Sequence, residues 1–296
     1  MYVQVMKTGT TFDGVSQTTI EKFKLLLPSL SEQQQIIKFL DQKTFTIDTL
    51  IKKKLRKIEL LKEQRASFIN QAVTKGLNLY ARMKDSGVEW IVEIPLGWNI
   101  SKLKYLTSNI GDGIHATPNY VENSDKYFIN GNNLIDGSIE IFESTKCVAE
   151  EEFLKYKLEL SDQTVLLSIN GTIGNLSFYD GEQVILGKSV CYINCLSMID
   201  THFLFYLLKS SPINDYFTFE LTGTTINNLS LNTVRNTPIP LPQMPEQHQI
   251  VEYLDNKTSE IDKQVDLENR KIELLKEYRQ SLISEVVTGK IDVRSN

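Results

Sequence analysis

The chain has 296 residues, 41% of them apolar and 23% charged, which allows one to three domains with a real hydrophobic core. No apolar run approaches the roughly 18 residues that would span a bilayer, and the N-terminus lacks a basic-then-apolar secretion signal, so a cytoplasmic protein without a membrane partner is expected. Three cysteines (Cys147, Cys191, Cys195) argue against a disulfide framework, three histidines offer no zinc-ligand spacing, and a net charge of -5 excludes the simplest nucleic-acid signature, a strongly basic pI.

The charge is unevenly spread. Residues 1–75 carry 13 Lys/Arg against 7 Asp/Glu, residues 93–243 carry 9 against 17, and residues 246–296 carry 8 against 11. If the acidic middle binds a polyanion, released counterions supply little of the affinity, and a partner or a local patch must help.

An internal repeat organises the chain. Lys57-Ile58-Glu59-Leu60-Leu61-Lys62-Glu63 recurs as Lys271-Ile272-Glu273-Leu274-Leu275-Lys276-Glu277, an offset of 214 residues. Without gaps, residues 9–74 match their counterparts at 30 of 66 positions. A period this long is no solenoid but a duplicated module flanking one unique segment. Each copy reads as a polar turn, a Pro-bounded extended piece (Lys24 to Pro28; Pro238 to Pro242) and a long helix, with Ser31 and Pro245 before Glu-Gln pairs as helix starts. The domain boundaries expected are 1–23, 24–76, 77–242 and 243–296.

Both helices carry a 3/4 heptad. The first runs through Ile37, Leu40, Thr44, Ile47, Ile51, Lys54, Ile58, Leu61, Arg65, Phe68 and Ala72. The second runs through Val251, Leu254, Thr258, Ile261, Val265, Glu268, Ile272, Leu275, Arg279, Leu282 and Val286. About 40 residues at 1.5 Å each make a coiled-coil arm of about 60 Å. The polar positions coincide between the copies, and Lys54 matched with Glu268 is what pairing of the two helices favours.

The segment between reads as short strands separated by turns. Tyr127 to Ile129, Ser138 to Phe142, Thr164 to Ile169, Val184 to Leu186 and Val190 to Ile193 are β-rich, with Asn130-Gly131, Asp136-Gly137, Asn170-Gly171 and Asp180-Gly181 between them. Helical spacing returns at Thr201–Lys209. The fold class is therefore α+β: one mixed domain plus two long helices forming a coiled-coil arm.

Catalytic signatures are absent from the sequence. It has no Asn-Pro-Pro-aromatic active site, no Walker P-loop, no G-x-S-x-G nucleophile, and Gly171-Thr172-Ile173-Gly174 is too short for a dinucleotide fingerprint. A non-catalytic protein with no cofactor or metal of its own is expected.

Met83-Lys84-Asp85-Ser86-Gly87-Val88-Glu89-Trp90-Ile91, continuing through Ile94-Pro95 and Trp98 to Leu103-Lys104, resembles the entry to the target-recognition domain in the specificity subunit of type I restriction-modification systems. Asp112-Gly113-Ile114-His115-Ala116-Thr117-Pro118 resembles that domain's early DG-x-H-x-TP loop, and Ser168 to Gly174 its later strand-turn. Gly223-Thr224-Thr225 through Pro240-Leu241-Pro242 to Glu246-Gln247 and Ile250 is similar to the junction with the conserved helix. The resemblance covers essentially the whole chain.

It implies a half-length form with one target-recognition domain, in which residues 1–23 match only the last stretch of a preceding one and Val92 replaces a usual glycine. The implied partners are double-stranded DNA, type I methyltransferase (M) subunits and the restriction/translocase (R) subunit, with S-adenosylmethionine, ATP and Mg on those subunits. A homodimer is expected to restore two recognition domains on a bipartite, palindromic site.

DNA contacts are expected from Gly113, His115, Thr117, Asn119 and Tyr120, from Asn130, Asn132 and Asn133, from Ser168, Asn170, Thr172 and Lys188, and from Thr224 with Thr225. Asn bonds adenine bidentately, and Ser, Thr and Lys hold phosphates. For each Asn-Gly the competing reading is a plain hairpin turn. The alternative function is a helical-arm adaptor whose acidic middle domain binds protein.

Overall fold

The computed structural model describes residues 20–22, 27–221 and 228–294. A 46-residue helix, α1 (Leu30–Lys75), precedes the strands and short helices of the middle segment, and a 44-residue helix, α6 (Met244–Val287), follows them. The chain divides into two compact units, one holding residues up to Ile58 and from Val265, the other Glu59–Gln264. These divisions fall inside the two long helices. The reason lies in the packing: Ile69, Ala72 and Val73 of α1 and Ile250 and Leu254 of α6 belong to the same core as Trp98, Leu167 and Phe203.

In the first unit the helices pair antiparallel. Asp48 meets Arg279 at 3.0 Å and Lys54 meets Glu268 at 2.8 Å, so the partner number falls as the α1 number rises. Ile47, Leu282, Val286 and Val293 form its core, with Ile36, Phe39, Leu40, Ile51 and Leu275 packed against it. The expected seam needs one correction here: Ile36 takes the inward place at the start of α1, and Ile37 is 58% exposed. The helix start also shifts. Ser29, not Ser31, caps it, with Oγ accepting from the Glu32 N–H at 3.3 Å.

The repeat reproduces local structure. Gln33 Nε2 donates to the Pro28 carbonyl at 2.8 Å, and Gln247 Nε2 donates to the Pro242 carbonyl at 3.0 Å, the same bond one repeat later. Gln247 is fully buried, and it also donates from Nε2 to the Met198 carbonyl and accepts at Oε1 from the Asp200 N–H, anchoring α6 to the middle segment.

The second unit is built on two four-stranded sheets. Strands β1 (Met83–Asp85) and β2 (Glu93–Pro95) form an entry hairpin, and β3 (Asn99–Lys102) later pairs with β14 (Pro238–Leu241). One large sheet has the order β11 (Leu176–Phe178), β10 (Thr164–Ser168), β13 (Val190–Cys195), β4 (Thr107–Asp112), all antiparallel. Its central strand β10 is buried at every residue, which suits its unbroken apolar run. The other has the order β12 (Val184–Leu186), β6 (Tyr127–Ile129), β9 (Lys146–Val148), β5 (Tyr120–Val121), with β12 and β6 parallel. A small hairpin, β7 (Leu134–Ile135) with β8 (Ser138–Ile139), turns at Asp136-Gly137 with both residues at positive φ, as a two-residue turn requires.

Four short helices complete this unit: α2 (Glu150–Tyr156), α3 (Thr201–Lys209), α4 (Ser211–Glu220) and α5 (Leu231–Asn236). Helix α3 has the bounds its spacing predicts, because Asp200 caps it by accepting from the His202 and Phe203 N–H groups. The expected strand over Ser138 to Phe142 stops after Ile139. The side chain of Asn133 takes the Glu140 carbonyl, and Phe142 and Thr145 close a turn.

Candidate nucleic-acid interface

All the described candidate contact residues lie in the second unit, most of them on loops beside the two large sheets, with Ser168 the last residue of β10 and Tyr120 the first of β5. The turn from β12 to β13, Gly187-Lys188-Ser189, carries the chain from one sheet to the other. Around it gather the loop after β4, the turn after β6 and the loop after β10, joined by backbone hydrogen bonds that include an isolated parallel bridge between Ile114 and Gly187. Gly113 N–H donates to Val190 and Ile114 N–H to Leu186; Gly187 N–H donates to Ile129, and Ile169 N–H to Ser189.

Glycines let these backbones close up. A Cβ on Gly113 would stand 2.0 Å from the Leu186 carbonyl oxygen, and one on Gly131 would stand 2.7 Å from Ser168 Cβ. Gly113 is thus a packing residue with a buried position, not a surface contact. The sequence alone does not distinguish the two roles.

The expected set separates into an outer and an inner group. His115, Thr117, Asn119, Tyr120, Asn132, Thr172 and Lys188 are exposed. His115 Nε2 lies 2.9 Å from Asp112 Oδ2, which orients the ring on the surface, and the Asn119 N–H donates to Glu152 Oε1 at 3.3 Å. Tyr120 rests its ring 6.0 Å from that of Phe128.

The inner group turns away from solvent. Asn133 is 3% exposed: its Oδ1 accepts from the Asn130 N–H at 2.9 Å, and its Nδ2 donates to Glu140 and Thr145. Ser168 is fully buried, its Oγ accepting from the Asn175 N–H at 2.8 Å. Asn130 Oδ1 accepts from Ser189 Oγ at 3.1 Å, and Asn170 is half-buried against Asn228 at 3.4 Å. Burial takes Asn133 and Ser168 off the surface, while Asn130 is half-buried with its side-chain carbonyl held by Ser189. Thr224 and Thr225 lie outside the described residues.

Ser189, Asn175 and Asp112 are the residues that sequence reading missed. They hold the loops or aim a side chain on them, and only Asp112 had a signal, as the first residue of the DG-x-H-x-TP loop. Burial pushes the Cys191 thiol, beside the loops, far above the ordinary range, with the Asp112 carboxylate adding to it, and at the other end of β13 burial pushes Cys195 up to about 12. The arrangement offers hydroxyl, amide, imidazole and ammonium groups on one set of clamped loops, suited to base edges and phosphates.

A family model described as the type I restriction modification DNA specificity domain matches residues 2–60 and 97–277. Among curated relatives, the type I restriction enzyme MjaVIII specificity subunit of Methanocaldococcus jannaschii is 27% identical over 99% of this chain and 68% of its own length. The EcoDI specificity subunit of Escherichia coli is 24% identical over 96% of this chain and 66% of its own. The chain spans about two thirds of the length of such relatives.

A solved structure titled for complex assembly and conformational transition of the type I R-M system superposes with a TM-score of 0.72 at 16% identity, over 94% of this chain and 65% of that one. The HsdS subunit from Thermoanaerobacter tengcongensis gives 0.53 at 15% identity, over 98% and 68%. At these identities the likeness is one of fold. No helix among the described residues is long and apolar enough to cross a membrane. With the model matching both repeat copies and most of the segment between them, the chain belongs to the family of type I restriction modification DNA specificity domains.

Proposed function

We propose that the chain is the non-catalytic, DNA-reading subunit of a type I restriction-modification complex, acting in the cytoplasm. It directs M and R subunits to a bipartite site in double-stranded DNA. The observation that carries this reading is the family match, extending over the loops on which His115, Thr117, Asn132 and Thr172 face solvent together. Asn132 suits an adenine edge and Lys188 a guanine edge or a phosphate, while Thr117 and Thr172 suit phosphates.

Residues 93–243 hold 9 cationic and 17 acidic side chains, so long-range attraction to DNA is weak and the M subunits supply positive surface. S-adenosylmethionine, ATP and Mg belong to those partner subunits. A homodimer that brings two copies of the recognition segment to DNA reads a two-fold symmetric, interrupted site.

Gel-shift of the full chain with and without a co-expressed M subunit tests the first part, and light scattering tests the dimer. Tight binding only with M, by a dimer, is the expected result. Target-specific nanomolar binding by the chain alone at physiological salt would contradict the charge argument. A monomer at micromolar concentration with a non-palindromic methylated motif would defeat the homodimer.

A further inference from the structure

Resting on that DNA reading, we propose that Ser189 is the positioning residue that fixes three DNA-facing loops against one another, and so sets sequence discrimination without touching DNA. Its hydroxyl donates to Asn130 Oδ1 at 3.1 Å and accepts from the Gly131 N–H at 3.0 Å, which holds the turn bearing Asn132. Its carbonyl accepts from the Ile169 N–H at 2.9 Å, which holds the loop bearing Asn170 and Thr172. Its own chain neighbour is Lys188, exposed on the same turn.

The position of Ser189 explains why one residue has this reach. It stands where the chain leaves one sheet for the other, while Asn130 follows a strand of the first sheet and Ile169 a strand of the second. No strand pairing in the described residues runs between β6 and β10, so the two loops depend on side-chain and turn contacts for their spacing. Asn175 supplies the other tie, donating from Nδ2 to the Gly131 carbonyl at 3.0 Å. Gly187 leaves room for the Asn130 side chain: a Cβ there would lie 2.4 Å from Asn130 Oδ1.

Loops held this way present Asn132, Thr172 and Lys188 at fixed separations, and base readout needs that because a bidentate contact tolerates little displacement. Phosphate contacts by flexible lysines tolerate far more. Loosening the clamp therefore lowers discrimination more than affinity.

The test compares wild type, S189A and S189T, each as the full chain in complex with an M subunit, in binding selections from a pool of random-sequence duplexes. Hydrogen exchange of the amides of Gly131 and Ile169 is followed in parallel. S189A is expected to lower enrichment of the wild-type motif about tenfold, as loss of two hydrogen bonds warrants, while affinity for the unselected pool and its salt dependence stay unchanged. Exchange at Gly131 should quicken, exchange at Ile169 should stay as it is because its acceptor is the Ser189 backbone carbonyl that alanine keeps, and S189T, which keeps the hydroxyl, should restore both enrichment and Gly131 exchange.

Unchanged enrichment despite faster exchange would overturn the assignment. So would parallel losses of motif enrichment and pool affinity. If S189A fails to fold, S189T must match wild type in both enrichment and exchange, and a discrimination loss with S189T at wild-type exchange would overturn the proposal. Wild-type complex that enriches no motif would sink the DNA reading itself, and this inference with it.

Discussion

Lys54 Nζ closes on Glu268 Oε2 at 2.8 Å, and these two residues occupy the same position of the repeat, 214 residues apart. Antiparallel pairing brings a repeat position near its own copy only at the midpoint of the pair, where identical charges would repel, whereas away from it Asp48 meets Arg279. At Lys54 and Glu268 the copies have diverged to opposite charge. Lys57 at 2.9 Å and Lys271 at 3.2 Å add to the same carboxylate, which is nearly shielded from solvent.

Hydrogen bonds from Lys54 and then Lys57 hold the Glu268 carboxyl down at about 2, below its ordinary 4.5. A depressed carboxylate stabilises the fold fully above the unfolded value and loses that contribution as pH falls from about 4.5 through about 2. Helix content by circular dichroism, followed through thermal unfolding between pH 6 and pH 2, should show the melting point dropping in that window. E268Q should melt lower at neutral pH and lose part of the slope; an unchanged slope would remove Glu268 as its source.

Val92 is a β-branched residue at φ 61, in the left-handed region that favours glycine, with its side chain 67% exposed. The strain exceeds the little that an exposed valine contributes by packing. V92G should stabilise the protein by about 1 kcal/mol, relief of strain less the added chain entropy of glycine. Denaturant unfolding measures it, and a loss of stability would show that the valine side chain packs usefully.

Outer and inner loop residues should respond differently. The triple variant H115A/N132A/T172A is expected to lose motif-specific binding with little change in melting point, since all three side chains are exposed. N133A should instead destabilise the fold by about 1–3 kcal/mol, because it strands the Asn130 N–H and the Glu140 carbonyl. Thermal unfolding and duplex selection on the same preparations separate the effects, and a stable N133A with lost specificity would reverse the assignment.

Much of this architecture was legible in the chain because it rests on local, periodic signals. Apolar heptads gave both long helices, Asp136-Gly137 gave its hairpin, and the apolar spacing over Thr201–Lys209 gave α3 its limits. The site was legible only in outline. Asn130, Asn132 and Asn133 are the same residue type within four positions, yet one faces solvent and one is buried by Glu140 and Thr145 from further along the chain. Ser189 had no signal, since its role comes from Gly131 and Ile169, 58 and 20 residues away, which meet it only at the seam of two sheets. Ile37 and Ile36 differ by one residue in a helix, and only the cluster with Val293 decides which one is inward.

The central claim is that this chain chooses the DNA sequence on which a type I methyltransferase acts, through the exposed side chains of its clamped loops. Long-read mapping of base methylation in cells carrying the M subunit, with the wild-type chain or with H115A/N132A/T172A, tests it most directly. The account predicts one interrupted, palindromic motif methylated with the wild-type chain and its loss or relaxation with the triple variant. Methylation of the same motif with both chains, or no motif dependent on the wild-type chain, would contradict it.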